Sequence, residues 1–175
     1  VPHFGCWEIT GRVLSIDTPV TFLYKPLRKA SQEALLIKNR QKQSLSMATA
    51  DKKGVIKLQR AIKNKELIGI LPDQDPGEEG GVLAPFFGTN ARSMTLLAKL
   101  ARKNNAKVLL TWALRLPKGA GFEIHLEPVN ILSEQGTVKE DVALMNKVIE
   151  SLVKTQPEQY LWNYKRFKSV VDYSS

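Results

Sequence analysis

Cysteine and histidine are scarce in this sequence, which contains one cysteine, Cys6, and two histidines, His3 and His125. A single cysteine excludes an internal disulfide, and no array of Cys and His has the spacing of a structural zinc site. The lack of disulfides is typical of proteins from a reducing compartment such as the cytoplasm. We therefore expect a soluble core without structural zinc.

Long apolar runs are also absent. No segment approaches the ~20 apolar residues that cross a bilayer, and no signal peptide is evident. The chain nevertheless begins Val1-Pro2-His3, almost on its most informative motif. We expect the parent protein to extend further towards the N-terminus, where a membrane anchor would lie. The 175 residues are interpreted as one N-terminally truncated domain.

Acidic residues are rare between Lys25 and Lys65. This stretch contains twelve Lys and Arg against Glu33 and Asp51, so its net charge is +10 in a chain whose net charge is +9. Such a concentration of positive charge predicts an anionic partner, which would be a phosphorylated lipid, an acidic protein or nucleic acid. A solvated helix face is the alternative interpretation.

The hydrophobic pattern alternates between helical and strand-like segments. It predicts helices at 7–14, 28–43, 53–65, 93–103 and 138–154, and strands at 18–24, 46–49, 67–71, 106–114 and 122–128. A loop is predicted from Asp73 to Gly88, and Pro157 opens a last helix. This order predicts an α/β fold with a mainly parallel central sheet flanked by helices.

His3 and Glu8 are the first candidates for chemistry, in the segment His-Phe-Gly-Cys-Trp-Glu. A neutral imidazole can take a proton from a hydroxyl, and a nearby carboxylate fixes its tautomer and stabilises the imidazolium. We expect His3 to precede a helix, Glu8 to lie in its second turn, and Gly5 to leave room for a substrate. On spacing alone, a structural role for His3 stays open, and Cys6 is a less favoured nucleophile.

Asp73, Gln74 and Asp75 form a second group of polar residues. They follow the strand predicted at 67–71, and sites in α/β sheets gather at the carboxyl ends of strands. Clustered carboxylates suit magnesium or calcium, but the spacing is not that of an EF-hand loop. A solvated turn is the alternative.

Three other features have less specific patterns. Asn39 and Arg40 stand near the end of the first basic helix, where a guanidinium can hold a phosphate through two hydrogen bonds. The apolar segment 82–88 fits either a core plug or the lining of a groove for an apolar chain. His125 lies in a predicted strand among apolar neighbours, and we interpret it as structural.

Together these segments resemble the lipid A biosynthesis acyltransferases, the late or secondary branch of the lysophospholipid acyltransferase superfamily. The resemblance rests on four blocks in the family's order: HFGCWE at 3–8, KNR at 38–40, LPDQD at 71–75 with PFFG at 85–88, and PEQYLW at 157–162 followed by Tyr164, Arg166 and Phe167. Cys6 stands where the family usually has Asn, and Tyr160 where Trp is common. The E-G-T-R block of the glycerol-phosphate acyltransferases is absent.

The resemblance implies an acyltransferase catalytic domain that acts at the cytoplasmic face of the inner membrane of Gram-negative bacteria. Such an enzyme moves a fatty acyl group from acyl carrier protein to a hydroxyl of a lipid A precursor, in lipopolysaccharide biosynthesis. Carried over by position, His3 is the general base and Glu8 its partner. The implied substrate-binding residues are Asn39, Arg40, Asp73, Gln74 and Asp75.

The implied partners are acyl carrier protein, the phosphorylated precursor and a membrane surface, without nucleic acid. No metal or other cofactor is expected, because a thioester donor is already activated. Two alternatives stay open: a glycerophospholipid acyltransferase of the same superfamily and, less favoured, a basic nucleic-acid-binding domain.

Overall fold

The computed structural model describes residues 1–26, 44–134 and 136–173. These residues divide into two compact units. The small unit is Trp7–Ile70, and the large unit consists of Val1–Cys6 together with the described residues from Leu71 onward. The helix predicted at 28–43, with Asn39 and Arg40, lies outside the described residues.

The small unit contains a parallel sheet. Its described elements are α1 (Trp7–Leu14), β1 (Val20–Tyr24), β2 (Leu45–Thr49), α2 (Lys52–Lys63) and β3 (Leu67–Gly69). The strand order is β2-β1-β3, and Val20 lies opposite both Leu45 and Leu67. The strands predicted at 18–24, 46–49 and 67–71 are therefore confirmed, and together they form a parallel three-stranded sheet.

Helix α2 confirms the predicted basic amphipathic helix. Asp51 caps its N-terminus, where the carboxylate accepts a hydrogen bond of 2.8 Å from the Gly54 N–H. Leu58 and Ala61 are buried. The basic side chains of the helix are exposed: Lys52, Lys53, Lys57, Arg60 and Lys63.

The large unit is built from two antiparallel hairpins and two helices. Its elements are β4 (Gly81–Phe86), β5 (Thr89–Met94), α3 (Leu96–Asn104), β6 (Val108–Arg115), β7 (Phe122–Val129) and α4 (Val138–Thr155), with short 3₁₀ turns at Pro117–Gly119 and Pro157–Gln159. Strand β4 pairs with β5, and β6 pairs with β7. The core between them contains the fully buried side chains of Phe4, Phe86, Ile131, Val142 and Ile149.

The prediction of a mainly parallel sheet is correct only for the small unit. The loop predicted from Asp73 to Gly88 contains β4, and β5 takes the first residues of the helix predicted at 93–103. Phe87 and Gly88 both have positive φ, 47° and 77°, so a two-residue turn folds β4 back onto β5. Strand β5 escapes recognition because its buried positions are the small residues Ala91 and Ser93, which give no apolar alternation.

Two sets of polar contacts, a capping box and a buried ion pair, hold the first turn of helix α4. Thr137 and Glu140 form a capping box that satisfies the first amides of the helix. Asp141 is fully buried and accepts two hydrogen bonds from Arg102, at 2.9 and 2.7 Å, and one of 3.0 Å from the Ser133 N–H. This ion pair ties α3 to α4 and fixes the helix that covers the β4–β5 hairpin.

Replacing Asp141 with Asn is expected to lower the melting temperature at neutral pH, because Arg102 then loses its anionic partner. Burial acts to raise the pKa of Asp141, but its bonds to Arg102 and Ser133 hold that pKa below 3.8. The stabilising contribution is therefore full above that value and is lost as pH falls through the lowered pKa. Thermal unfolding of wild type and D141N from pH 7 to pH 3 should show a gap that is constant above pH 5 and begins to narrow as the pH falls below 3.8.

The exposed carboxylate of Glu127 on β7 supplies the control for this comparison. E127Q should melt close to wild type across the same pH range. A D141N protein that melts with wild type at pH 7 would contradict a structural role for the Asp141–Arg102 pair.

Candidate active site

The imidazole of His3 is held by the carboxylate of Asp73. Nδ1 of His3 lies 2.8 Å from Oδ1 of Asp73, and the His3 backbone N–H donates to Oδ2 of the same carboxylate at 2.8 Å. A carboxylate can only accept, so Nδ1 carries the hydrogen of this bond. The other ring nitrogen, Nε2, is then the basic one.

Backbone pairing fixes the position of His3 within the large unit. Phe4 forms an antiparallel bridge with Tyr160, and Gly5 a parallel bridge with Ala113 of β6. The Leu161 N–H donates to the His3 carbonyl at 3.2 Å. Residues 3–6 are thus inserted between β6 and the chain around 159–161, and Phe4 on this short segment is completely buried.

Gly5 is required for this insertion rather than for a space beside His3. Its φ is +60°, and a Cβ built there would lie 2.0 Å from the Ala113 carbonyl oxygen. The room that the sequence analysis assigned to a substrate is therefore occupied by the backbone of β6. Glu8 lies in the first turn of α1, not the second, because that helix begins at Trp7.

Asp73 is nearly inaccessible to solvent, with 2% of its surface exposed. Burial acts to raise the pKa of Asp73, but the hydrogen bonds and charge of His3 outweigh it and hold that pKa below its ordinary value. Burial raises the pKa of Tyr160, and the adjacent Asp73 charge raises it further. At neutral pH Asp73 is an anion beside a protonated Tyr160.

Asp75 is bound by the closing segment of the chain. Its backbone N–H donates to the Tyr164 hydroxyl at 2.9 Å, and Ser169 donates a short hydrogen bond to its carboxylate. The Gly77 N–H donates to the other carboxylate oxygen at 2.8 Å. Burial acts to raise the pKa of Asp75, but the bonds from Ser169 and Gly77 lower it overall.

Tyr160, Tyr164 and Ser169 are functional candidates that sequence reasoning did not assign. The signal was present, because Tyr160 and Tyr164 belong to the closing block that supported the family resemblance. Only the fold shows that these side chains pack against Asp73 and Asp75. Their contribution is to hold the loop that carries Asp73 against His3.

The other candidates lie in different surroundings. Gln74 is half-buried between the two aspartates, and Cys6 is a half-buried free thiol. His125 stacks on Trp112 with ring centroids 4.6 Å apart, in keeping with a structural role. Throughout the described residues, no three side chains of His, Cys, Asp or Glu gather as a metal site.

The family model described as bacterial lipid A biosynthesis acyltransferase matches residues 1–169. The chain belongs to this family. The resemblance drawn from the four sequence blocks is thereby confirmed. His3 belongs to the first of those blocks and Asp73 to the third, so their contact joins the two.

Curated relatives carry names of the same kind. The chain is 29% identical over 169 residues to the lipid A biosynthesis palmitoleoyltransferase of Escherichia coli, with 95% of this chain and 54% of the relative covered. It is 30% identical to the lipid A biosynthesis lauroyltransferase of the same bacterium, with the same coverage of both chains. A lipid A biosynthesis acyltransferase of Haemophilus influenzae is 29% identical, with coverage of 93% and 50%. The chain thus spans about half the length of the curated relatives it matches.

No helix in the described ranges 1–26, 44–134 and 136–173 combines the length and the apolar character needed to cross a bilayer.

Gly5→Ala is expected to destabilise this protein more than Gly119→Ala, although both glycines have a positive φ. Gly119 is the matched control, because its φ is +73° and a Cβ there meets nothing within 4 Å. The left-handed backbone alone costs a non-glycine residue about 1–2 kcal/mol. G119A should lose that amount in urea unfolding, and G5A should lose clearly more. Equal losses would show that the contact with Ala113 does not constrain residue 5.

Proposed function

We propose that this protein transfers a fatty acyl group from acyl carrier protein to a hydroxyl of a phosphorylated lipid A precursor, with His3 as general base. Family membership supports the reaction class. The single observation that supports the mechanism is the His3–Asp73 contact, which leaves Nε2 as the proton acceptor. Because the chain covers about half of its relatives' length, donor, acceptor and partners are parts of the proposal.

The chemistry needs one proton carrier. Nε2 of His3 takes the proton of the acceptor hydroxyl while its oxygen attacks the thioester carbonyl carbon. The tetrahedral intermediate collapses, the carbon–sulfur bond breaks, and the leaving sulfur takes the proton back from the imidazolium. The products are an acyloxyacyl ester and the free carrier thiol, so the step balances without a metal or redox cofactor.

Two carboxylates are assigned to His3 in this proposal. Asp73 holds the Nδ1 hydrogen and thereby sets the ring orientation and the tautomer. Glu8 is retained as the acidic partner on the basis of the His-x-x-x-x-Glu motif, in which its charge favours the imidazolium of the attacking step.

We assign substrate recognition to charged and polar side chains. Asn39 and Arg40 are proposed to bind an anionic group of the substrate, and Gln74 and Asp75 to form part of the acceptor site next to Asp73. The exposed basic side chains of α2 add positive charge suited to acidic carrier protein or phosphorylated lipid. We place the enzyme at the cytoplasmic face of the inner membrane, where basic groups near anionic lipid contribute about 1 kcal/mol each.

His3→Ala and Glu8→Ala are each expected to abolish acyl transfer in practice, because a general base contributes about 10²–10⁴-fold to the rate. Asp73→Asn should lower kcat by a similar factor, since the neutral amide no longer fixes the tautomer. The measurement is transfer of a radiolabelled acyl group from acyl carrier protein to the precursor, followed by thin-layer chromatography.

His125→Gln and Glu158→Gln are the matched controls, because they remove the second histidine and an exposed carboxylate of the large unit. Both should keep near-wild-type rates. Circular dichroism should show that every variant is folded. Full activity in folded H3A protein would overturn the mechanism.

The acceptor class is tested in the same assay. Labelled acyl carrier protein is offered with a lipid A precursor, with a lysoglycerophospholipid, or with both. We expect label only in the lipid A product. Label in the glycerophospholipid alone would favour the other branch of the superfamily, and tight, steeply salt-dependent oligonucleotide binding without transfer would favour a nucleic-acid-binding domain.

A further inference from the structure

The outward face of helix α2 carries one exposed apolar side chain among several cations. Ile56 has 50% of its surface exposed to solvent. Residues three, four or seven positions apart share one face of an α-helix. Four exposed cations therefore surround the direction in which Ile56 projects: Lys52, Lys53, Arg60 and Lys63. We call these five residues the Ile56 face.

The opposite face of α2 is packed on the sheet of the small unit. Leu58 is completely buried, and a Cβ built on Gly54 would lie 1.8 Å from the Thr49 carbonyl oxygen. Between the two faces, Nζ of Lys57 donates to the Met47 carbonyl at 2.8 Å, so this cation is held against β2. These contacts fix the rotation of α2 about its axis and leave the Ile56 face turned outward.

The positive charge of the Ile56 face is not balanced within the helix. The residues of α2 include no Asp or Glu, and the carboxylate of Asp51 at the N-cap is bonded to the Gly54 N–H. Among the described residues, no carboxylate lies at ion-pair distance from the four cations of this face. Like charges three or four residues apart on a helix repel each other and destabilise it. A partner that brings negative charge to this face would relieve the repulsion.

An acidic protein fits the Ile56 face better than a lipid bilayer or a nucleic acid does. A helix that lies in a membrane surface buries a broad apolar face among the lipids, and the apolar face of α2 is already packed on its own sheet. No residue of α2 is aromatic, so the helix has no ring on which a base could stack. One exposed isoleucine inside a rim of cations has the apolar centre and polar rim of a protein interface.

We propose that the Ile56 face is a docking surface for an acidic protein, namely the acyl carrier protein that donates the acyl group. The cations of the rim attract the acidic partner and set its orientation, and Ile56 packs against an apolar side chain at the centre of the contact. The preference for an acidic protein rests on the surface itself. The identity of that protein as the acyl donor rests on the proposed function.

Binding of purified acyl carrier protein, measured by isothermal titration calorimetry, tests the surface without any assay of activity. Arg60→Glu should weaken binding by about tenfold, because it replaces an attraction with a repulsion. Ile56→Ala should weaken binding by about fivefold or more, as expected for the apolar centre of an interface. The affinity of the wild type should fall as salt is added, and Arg60→Glu should make that dependence less steep.

Helix α4 supplies matched controls, because Leu144 is 37% exposed and Lys147, three residues further on, is exposed as well. Leu144→Ala and Lys147→Glu repeat the two changes on another helix, and Lys147→Glu changes the net charge as much as Arg60→Glu does. Both controls should bind the carrier protein as the wild type does. Arg60→Glu should melt no lower than the wild type, because it removes like-charge repulsion from α2. Unchanged binding in Arg60→Glu and Ile56→Ala, or equal losses in the controls, would overturn the proposal.

Two further probes decide the class of partner. Vesicles of phosphatidylglycerol and a duplex oligonucleotide are offered to the wild type and to Arg60→Glu under the same conditions. We expect the carrier protein to show the largest difference between the two proteins. If Arg60→Glu loses binding to the vesicles or to the oligonucleotide while its binding of carrier protein is unchanged, the Ile56 face is a lipid or nucleic-acid surface and the proposal is wrong.

Steady-state kinetics separates the docking surface from the proposed function. With the acyl carrier protein thioester as donor, Arg60→Glu should raise KM by about tenfold and leave kcat close to that of the wild type. With acyl-pantetheine, a donor that lacks the protein, the difference between the variant and the wild type should disappear. A wild type that binds carrier protein through this face but transfers no acyl group would retain the surface and overturn the proposed function. Acyl transfer with the same KM in both proteins would overturn the surface and retain the function.

Discussion

The bond between the buried carboxylate of Asp73 and the imidazole of His3 is the interaction on which the candidate active site depends. A carboxylate with 2% exposure needs fixed donors in place of water, and His3 supplies two of them. Residues 3–6 must therefore be inserted beside β6, which in turn requires glycine at position 5. The catalytic proposal follows from this arrangement because it leaves Nε2 as the base.

Residues 160–166 contact sequence blocks that lie far apart in the chain and so bring them together into one site. Leu161 binds the His3 backbone, Tyr160 lies beside Asp73, and Tyr164 binds the backbone of Asp75. Arg166, in the same segment, donates a hydrogen bond to the Arg92 carbonyl of the β4–β5 hairpin. Residues of the first, third and fourth blocks of the family resemblance thus meet in the large unit around His3.

Local patterns predicted much of the fold but not the decisive contact. The capped helix α4 and the β6–β7 hairpin have strong local signals and were predicted nearly to the residue. Strand β5, and with it the β4–β5 hairpin, was missed because small and polar residues fill the buried positions of β5. Asp73 was predicted as a site residue, yet its pairing with His3 joins residues 70 positions apart, which no local pattern encodes. The Glu8 partnership stays a prediction.

The central claim, that Asp73 fixes the tautomer of His3, is tested most directly by ¹⁵N NMR of the imidazole nitrogens. In His125→Gln protein, His3 is the sole remaining histidine and its signals need no further assignment. At neutral pH, we predict a protonated Nδ1 and an unprotonated Nε2, and loss of this preference in Asp73→Asn protein. A hydrogen on Nε2 of His3 in the folded protein, with Nδ1 unprotonated, would contradict the account.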